Sequence, residues 1–249
     1  MITLVFSGEM SAARRAVFER AAAKWDRVID SSFDPVDVEG ETITGLHIDA
    51  SIITIDGPEG ILGQAGPRIL RSDNGLPVKG IMQFDDADIA RLEEVGSFED
   101  VILHEMAHVL GFGTLWSRLG LVRGAGTHDP RYIGPAASRE YAVLDPDGGS
   151  AVPIANTGGP GTREAHWREL IFGDELLTGF LSGGHRPISR MSIAAFADIG
   201  YEVDYSAADP FELPTFHELA LMGITEAVRI CDLCRVLRPQ PIVHSDALS

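Results

Sequence analysis

Cysteine is nearly absent from this chain, with Cys231 and Cys234 the only two in 249 residues. Two thiols cannot build the disulfide framework of a small secreted domain. As Cys-x-x-Cys they also fall two ligands short of a structural zinc, unless His217 and His244 joined them, so a local disulfide or two free thiols is expected. Basic residues are scarce as well: 20 Lys and Arg stand against 37 Asp and Glu, a formal charge of −17. That excess argues against a nucleic acid or an anionic membrane surface as partner and favours a neutral or cationic substrate. No apolar run reaches the roughly 20 residues of a membrane span. The opening MITLVFSGEM has neither a basic leader nor a long apolar core, so no secretory signal is visible. What remains, 45% hydrophobic and 23% charged, is the composition of a globular chain of one large domain or two small ones.

The most informative stretch is VILHEMAHVLGFG, Val101 to Gly113, which carries His-Glu-x-x-His at His104, Glu105 and His108. On an α-helix, residues four apart share a face, so both imidazoles can aim at one point, a geometry that suits a zinc ion. Glu105 lies close to the same face, where a carboxylate can deprotonate a water held by the metal. The plainer reading is a core helix with two hydrogen-bonded histidines. The frame favours the metal. Ser97 and Asp100 resemble a capping box, Phe98, Val101, Ile102, Met106, Val109 and Leu110 make an apolar helix surface, and Gly111 is a C-terminal stop. A catalytic zinc usually takes three protein ligands, leaving one to be found among His128, His166, His185, His217, His244 and Glu140. Spacing alone does not choose.

HEMAHVLGFG, followed at a distance by EAHWRELIFGDELLTG and then SIAAFADIGYEVDYSAAD, resembles the successive landmarks of the leishmanolysin family of metzincin zinc peptidases. Most metzincins place the third histidine six residues after the second, where this chain has Thr114; the leishmanolysin branch interposes a long insertion instead. The resemblance therefore implies His166 as third ligand. Leu177 falls where the family has its Met-turn methionine, and Leu for Met nearly conserves volume; Met191 belongs to the following helix and is expected in the core. The implied fold is α+β: a metzincin-like zincin domain with a twisted mixed sheet, two long helices above the zinc cleft and a mainly irregular or helical lower subdomain. The implied domain is 1–210 for the catalytic unit, with its upper region over 1–111, the insertion over 112–165 and its lower region over 166–210; beyond it the resemblance fades, and 211–249 reads as a partly helical extension. The implied activity is that of a zinc metalloendopeptidase acting on peptide or protein substrates, with Zn2+ on His104, His108 and His166, Glu105 as general base, and the chain a monomer without a membrane span. The family is mostly extracellular, although no signal is visible here. The rival classes are a metzincin-like zinc-binding protein without proteolysis and a non-peptidase zinc hydrolase.

Along the chain, 2–6 read as a strand and Ser11 as the cap of a helix to about Asp30, with Phe18, Ala22, Trp25 and Ile29 as its buried stripe. Strands are expected within 45–55 and 80–84. Between them, Ile61 to Ala65 holds the place of the metzincin edge segment that pairs with substrate backbone. Asp85, Asp86 and Asp88 could offer calcium ligands, but their spacing fits no calcium loop, and solvation or helix capping is the ordinary use. Residues 117–165, rich in Gly and Pro, show no strong periodicity. A helix is expected over 189–200, and Tyr201 is read as reaching the specificity pocket.

Overall fold

Apolar and β-branched residues at alternate positions make Ile2–Ser7 strand β1, and the chain then turns into helix α1, Ala12–Val28, at the Ser11 side chain, which accepts from Arg14 N at 3.3 Å. Phe18, Ala22, Trp25 and Ile29 are buried, as their spacing predicts. The structure, a computed structural model, describes residues 1–58, 60–159, 161–179 and 186–221, together with the strand backbones at 234–236 and 242–243.

After a hairpin of β2, Val36–Val38, and β3, Glu41–Ile43, the chain enters β4, Leu46–Ile53, which pairs parallel with β1. Then come β5, Gly63–Leu70, and β6, Pro77–Asp85. The sheet order is β1-β4-β6-β5, with β6 parallel to β4 and β5 antiparallel to β6. The result is an α+β fold on a mixed sheet. The outer edge of β5 is covered by two short parallel strands from the C-terminal stretch, β10 at Cys234–Val236 and β11 at Ile242–Val243.

Helices α2, Asp86–Glu94, and α3, Phe98–Val109, follow β6. Asp85 caps α2: one carboxylate oxygen accepts from Ala87 N and the other from the backbone N–H of Ile55, Asp56 and Gly57, each between 2.8 and 3.0 Å. Burial alone would push this carboxyl up, but those four donors bring it down to about 2. The Asp85 carboxylate is thus a structural knot between a loop and a helix. The capping box expected at Ser97 is not made. Ser97 stands at the N-cap of α3 with φ −97° and ψ −1°, and its side chain makes no capping bond; the extended backbone that turns such a side chain toward the helix is missing.

α3 is the core of the molecule. It lies against β5, β6 and α1, with the Trp25 indole donating to Leu103 O at 3.0 Å and Phe18 set edge-on to Phe84 and Phe98. Ten of its residues, Phe98 and Val101 to Val109, are buried.

The stretch after α3 is more ordered than its composition predicts. It contains β7, Val122–Arg123, β8, Arg131–Tyr132, helix α4, Pro135–Leu144, and β9, Val152–Pro153, with the three strands forming a small antiparallel sheet. Pro135 at the first helical position was the available signal for α4. Short helix α5, Glu169–Phe172, and helix α6, Arg190–Ile199, complete this half. Asp198 of α6 caps α4 from outside, accepting from Ala136 N at 2.7 Å and Ala137 N at 2.9 Å. In 211–249, helix α7, Phe216–Leu221, is followed by the two strands on β5 rather than by further described helix. Among the described residues, no helix is long and apolar enough to cross a membrane.

Candidate metal centre

His104 and His108 stand one turn apart on α3 at 6% and 0% exposure, and His166, also at 0%, meets them from across the insertion. Their three Nε2 atoms form a triangle with every side 3.0 Å. Each Nδ1 faces a backbone carbonyl: Leu176 O at 2.7 Å for His104, Phe112 O at 2.9 Å for His108 and Thr162 O at 2.9 Å for His166. A carbonyl oxygen can only accept, so Nδ1 carries the proton on each ring and Nε2 turns its lone pair inward. Three lone pairs 3.0 Å apart repel unless a cation sits among them, and three neutral imidazoles are a donor set that zinc favours. Burial, then His108, His166 and Arg186, hold the His104 imidazole well below its usual range, so it stays neutral. Among the described residues, no other group of three His, Cys, Asp or Glu side chains converges in this way.

Glu105 is 1% exposed and lies under β5. Gly63 makes room for it: a Cβ there would lie 3.3 Å from Glu105 Cδ and Cγ, so a side chain at 63 would press on the carboxylate. The structural role of Gly63 is missed in sequence, although a glycine inside a strand often marks such a close approach.

Two glycines at the end of α3 steer the chain. Gly111, φ +113°, ends the helix as its position predicts. Gly113, φ +70°, brings the start of the insertion against its end: a Cβ at 113 would overlap the Ala165 carbonyl oxygen and lie 2.8 Å from Ala165 Cα, next to His166. Thr114, where most metzincins have their third histidine, instead donates its hydroxyl to His108 O at 2.8 Å.

Beneath His104 lies the turn Asp174 to Leu177. Glu175 is fully buried, and its carboxylate accepts from Leu177 N at 2.6 Å, Ser189 N at 3.0 Å, Ser189 Oγ at 2.8 Å and the Ser192 hydroxyl. Burial, the largest effect, raises this carboxyl above its usual range, while its hydrogen bonds to Ser192, Leu177 and Ser189 pull the other way. The turn thereby holds the Leu176 carbonyl that orients His104. Arg186, buried, donates to Glu175 O at 3.2 Å and Thr178 Oγ1 at 2.9 Å. Neither Glu175 nor Arg186 stands out in sequence, because nothing local marks a charged residue as buried. Leu177 is buried under the site, and Met191 is buried in α6.

The other sequence candidates lie elsewhere. His128 is exposed, His217 is exposed on α7, and Glu140 pairs with Arg190 at 3.1 Å. His185, His244 and Cys231 lie outside the described residues, and only the backbone of Cys234 is described. Tyr201 is buried, and its hydroxyl donates to Leu110 O at 2.9 Å and secures the end of α3.

Comparison with known proteins supports the same stretch of chain. The family model for leishmanolysin, peptidase family M8, matches residues 59–215. The chain is 29% identical over 148 residues to a leishmanolysin homolog of Crithidia fasciculata, an alignment covering 55% of this chain and 22% of that protein. It is 27% identical over 187 residues to a leishmanolysin of Leishmania amazonensis, covering 67% of this chain and 28% of the relative. The chain thus spans less than a third of the length of either relative.

Proposed function

Because the chain belongs to the leishmanolysin family of peptidases, we propose that it is a zinc-dependent endopeptidase in which His104, His108 and His166 hold the metal and Glu105 is the general base. The observation that carries this reading is the triangle of Nε2 atoms, each ring fixed by a carbonyl at its other nitrogen. When bound, zinc supplies Lewis acidity toward a water molecule and toward the scissile carbonyl. Glu105, dry and next to the triad on α3, accepts the proton of the attacking water and hands it to the leaving amine nitrogen. His104, His108 and His166 stay neutral throughout, each proton kept on Nδ1 by its carbonyl. The outer edge of β5 at Gly63 to Ala65 offers the backbone N–H and C=O groups that align a peptide beside Glu105.

This reading carries the finer architecture with it: a metzincin-like zincin unit over 1–210, divided at the insertion 112–165, with 211–249 as an extension, acting as a monomer. The experiment is zinc content together with cleavage of a mixed peptide library. Wild type should carry about one zinc per chain and cut peptides; Glu105→Ala should keep the zinc and lose cleavage, and His166→Ala should lose zinc. Retained cleavage by a metal-loaded Glu105→Ala protein would refute the role of Glu105.

A further inference from the structure

The edge of β5 that the proposed function reserves for substrate is the edge on which the chain's own C-terminal stretch lies. Cys234, Arg235 and Val236 pair with Gly63, Gln64 and Ala65, and Ile242 and Val243 pair with Ile69 and Leu70, both in parallel. The tail therefore covers β5 at both ends. At Gly63 it runs beside the part of β5 that lies against Glu105. A strand edge has one row of outward N–H and C=O groups, and a neighbour lies only about 4.8 Å away, so two peptides cannot pair with Gly63 to Ala65 at once.

We propose that the C-terminal stretch containing Cys234–Val236 and Ile242–Val243 is an intramolecular occupant of the peptide-docking edge, and that it must leave β5 before a substrate can pair there. This rests on the peptidase reading, for the regulation it describes is regulation of that site. The tail is tethered, so its local concentration is high and does not change with dilution. The apparent affinity for substrate falls by the fraction of molecules with the edge open; a tail docked nine-tenths of the time raises KM on the order of tenfold and leaves kcat alone.

The test is the double substitution Arg235→Pro/Val236→Pro in the chain of 249 residues. Successive residues of a strand direct their N–H groups to opposite sides, so one of the two prolines removes a donor to β5 whichever residue supplies it. Two readouts are taken: amide hydrogen exchange at Gly63, Gln64 and Ala65, and KM and kcat on a cleaved peptide. A synthetic peptide of residues 232–244, added in trans, gives a third readout that does not depend on how the variant folds. The expected result is exchange at least about tenfold faster at those of the three amides that face away from β6, a lower KM with unchanged kcat, and competitive inhibition of the variant by the added peptide. Unchanged exchange in a folded variant, or faster exchange with the same KM, overturns the proposal. If neither protein cleaves any peptide, the peptidase reading fails, and the exchange measurement alone decides whether the tail occupies the edge.

Discussion

Replacing Glu175 with Gln tests whether the turn below the triad sets the orientation of His104. The side chain keeps its shape, and one acceptor oxygen becomes an NH2 donor. In the native protein one carboxylate oxygen accepts from Ser189 N, Ser189 Oγ and Ser192 Oγ, and the other accepts from Leu177 N. Whichever way the amide settles, its NH2 meets at least one donor. A buried donor stripped of its acceptor costs about 1–3 kcal/mol. Glu175→Gln should therefore lower stability by about 1–3 kcal/mol.

The effect should reach the metal through the backbone. Leu176, whose carbonyl accepts from His104 Nδ1 at 2.7 Å, lies between Glu175 and the Leu177 N–H that Glu175 holds. Loss of an outer partner of a ligating histidine typically weakens metal binding about 10–100-fold. Urea unfolding of the metal-free protein reads the first effect, and zinc affinity by chelator competition at fixed pH reads the second. A loss of stability with unchanged zinc affinity would break the link from Glu175 to His104; unchanged stability would refute the buried network itself.

Glu169, 5% exposed, is pushed by burial up to about 8. Its folded value is raised above the ordinary 4.5, so the stability it contributes is fully present below pH 4.5 and declines as pH rises toward 8, by roughly 3–5 kcal/mol across that window. Glu169→Gln should remove that decline, so urea midpoints measured at several pH values between about 5 and 8 should fall in wild type and stay flatter in the variant; parallel profiles would contradict the assignment. Gly113→Ala places a Cβ against the Ala165 backbone at a positive φ. It should cost about 2–4 kcal/mol and reduce zinc content by displacing His166, whereas a stable variant with full zinc content would show that this close approach does not position the ligand.

Much of the fold was legible because its periodicities are local. The stripe Phe18, Ala22, Trp25 and Ile29, the Ser11 cap and the glycine stop at Gly111 depend on neighbours a turn away, and all are found as expected. The same holds for His104, Glu105 and His108, which one helix turn brings together. Convergence of His166 was legible only through family resemblance, since its distance from the other two along the chain carries no periodic signal. What escaped reading depends on distant partners. Helix α4 gains its cap from Asp198 on α6, Asp85 gains three donors from a preceding loop, and Glu175 is buried by a helix that follows it. Ser97 erred in the other direction: its residue type suits a cap, but its helical backbone turns the side chain away.

The long separation between the proposed ligands raises a physical question that the insertion itself answers. His166 follows His108 by 58 residues, whereas most metzincins need six. By the logarithmic dependence of loop closure on length, the longer loop costs about 2 kcal/mol more to close if it is slack. It is not slack. Phe112 at the end of α3 packs on Trp116 and Trp167, Trp116 packs on Tyr132 and Trp167, and Tyr132 packs on Trp167 in turn, with ring centroids 4.5 to 5.4 Å apart. Aromatic pairs of this kind contribute about 0.5–1.5 kcal/mol each beyond the area they bury, so these five contacts exceed the additional closure cost. Their placement matters more than their sum. Phe112 supplies the carbonyl that orients His108, and Trp167 is the neighbour of His166, with its N–H held by Leu177 O at 3.0 Å. The aromatic cluster therefore joins the backbone on either side of the insertion at the two points where ligands depart from it. Packing within the insertion thereby offsets the closure cost of bringing His166 to His104 and His108.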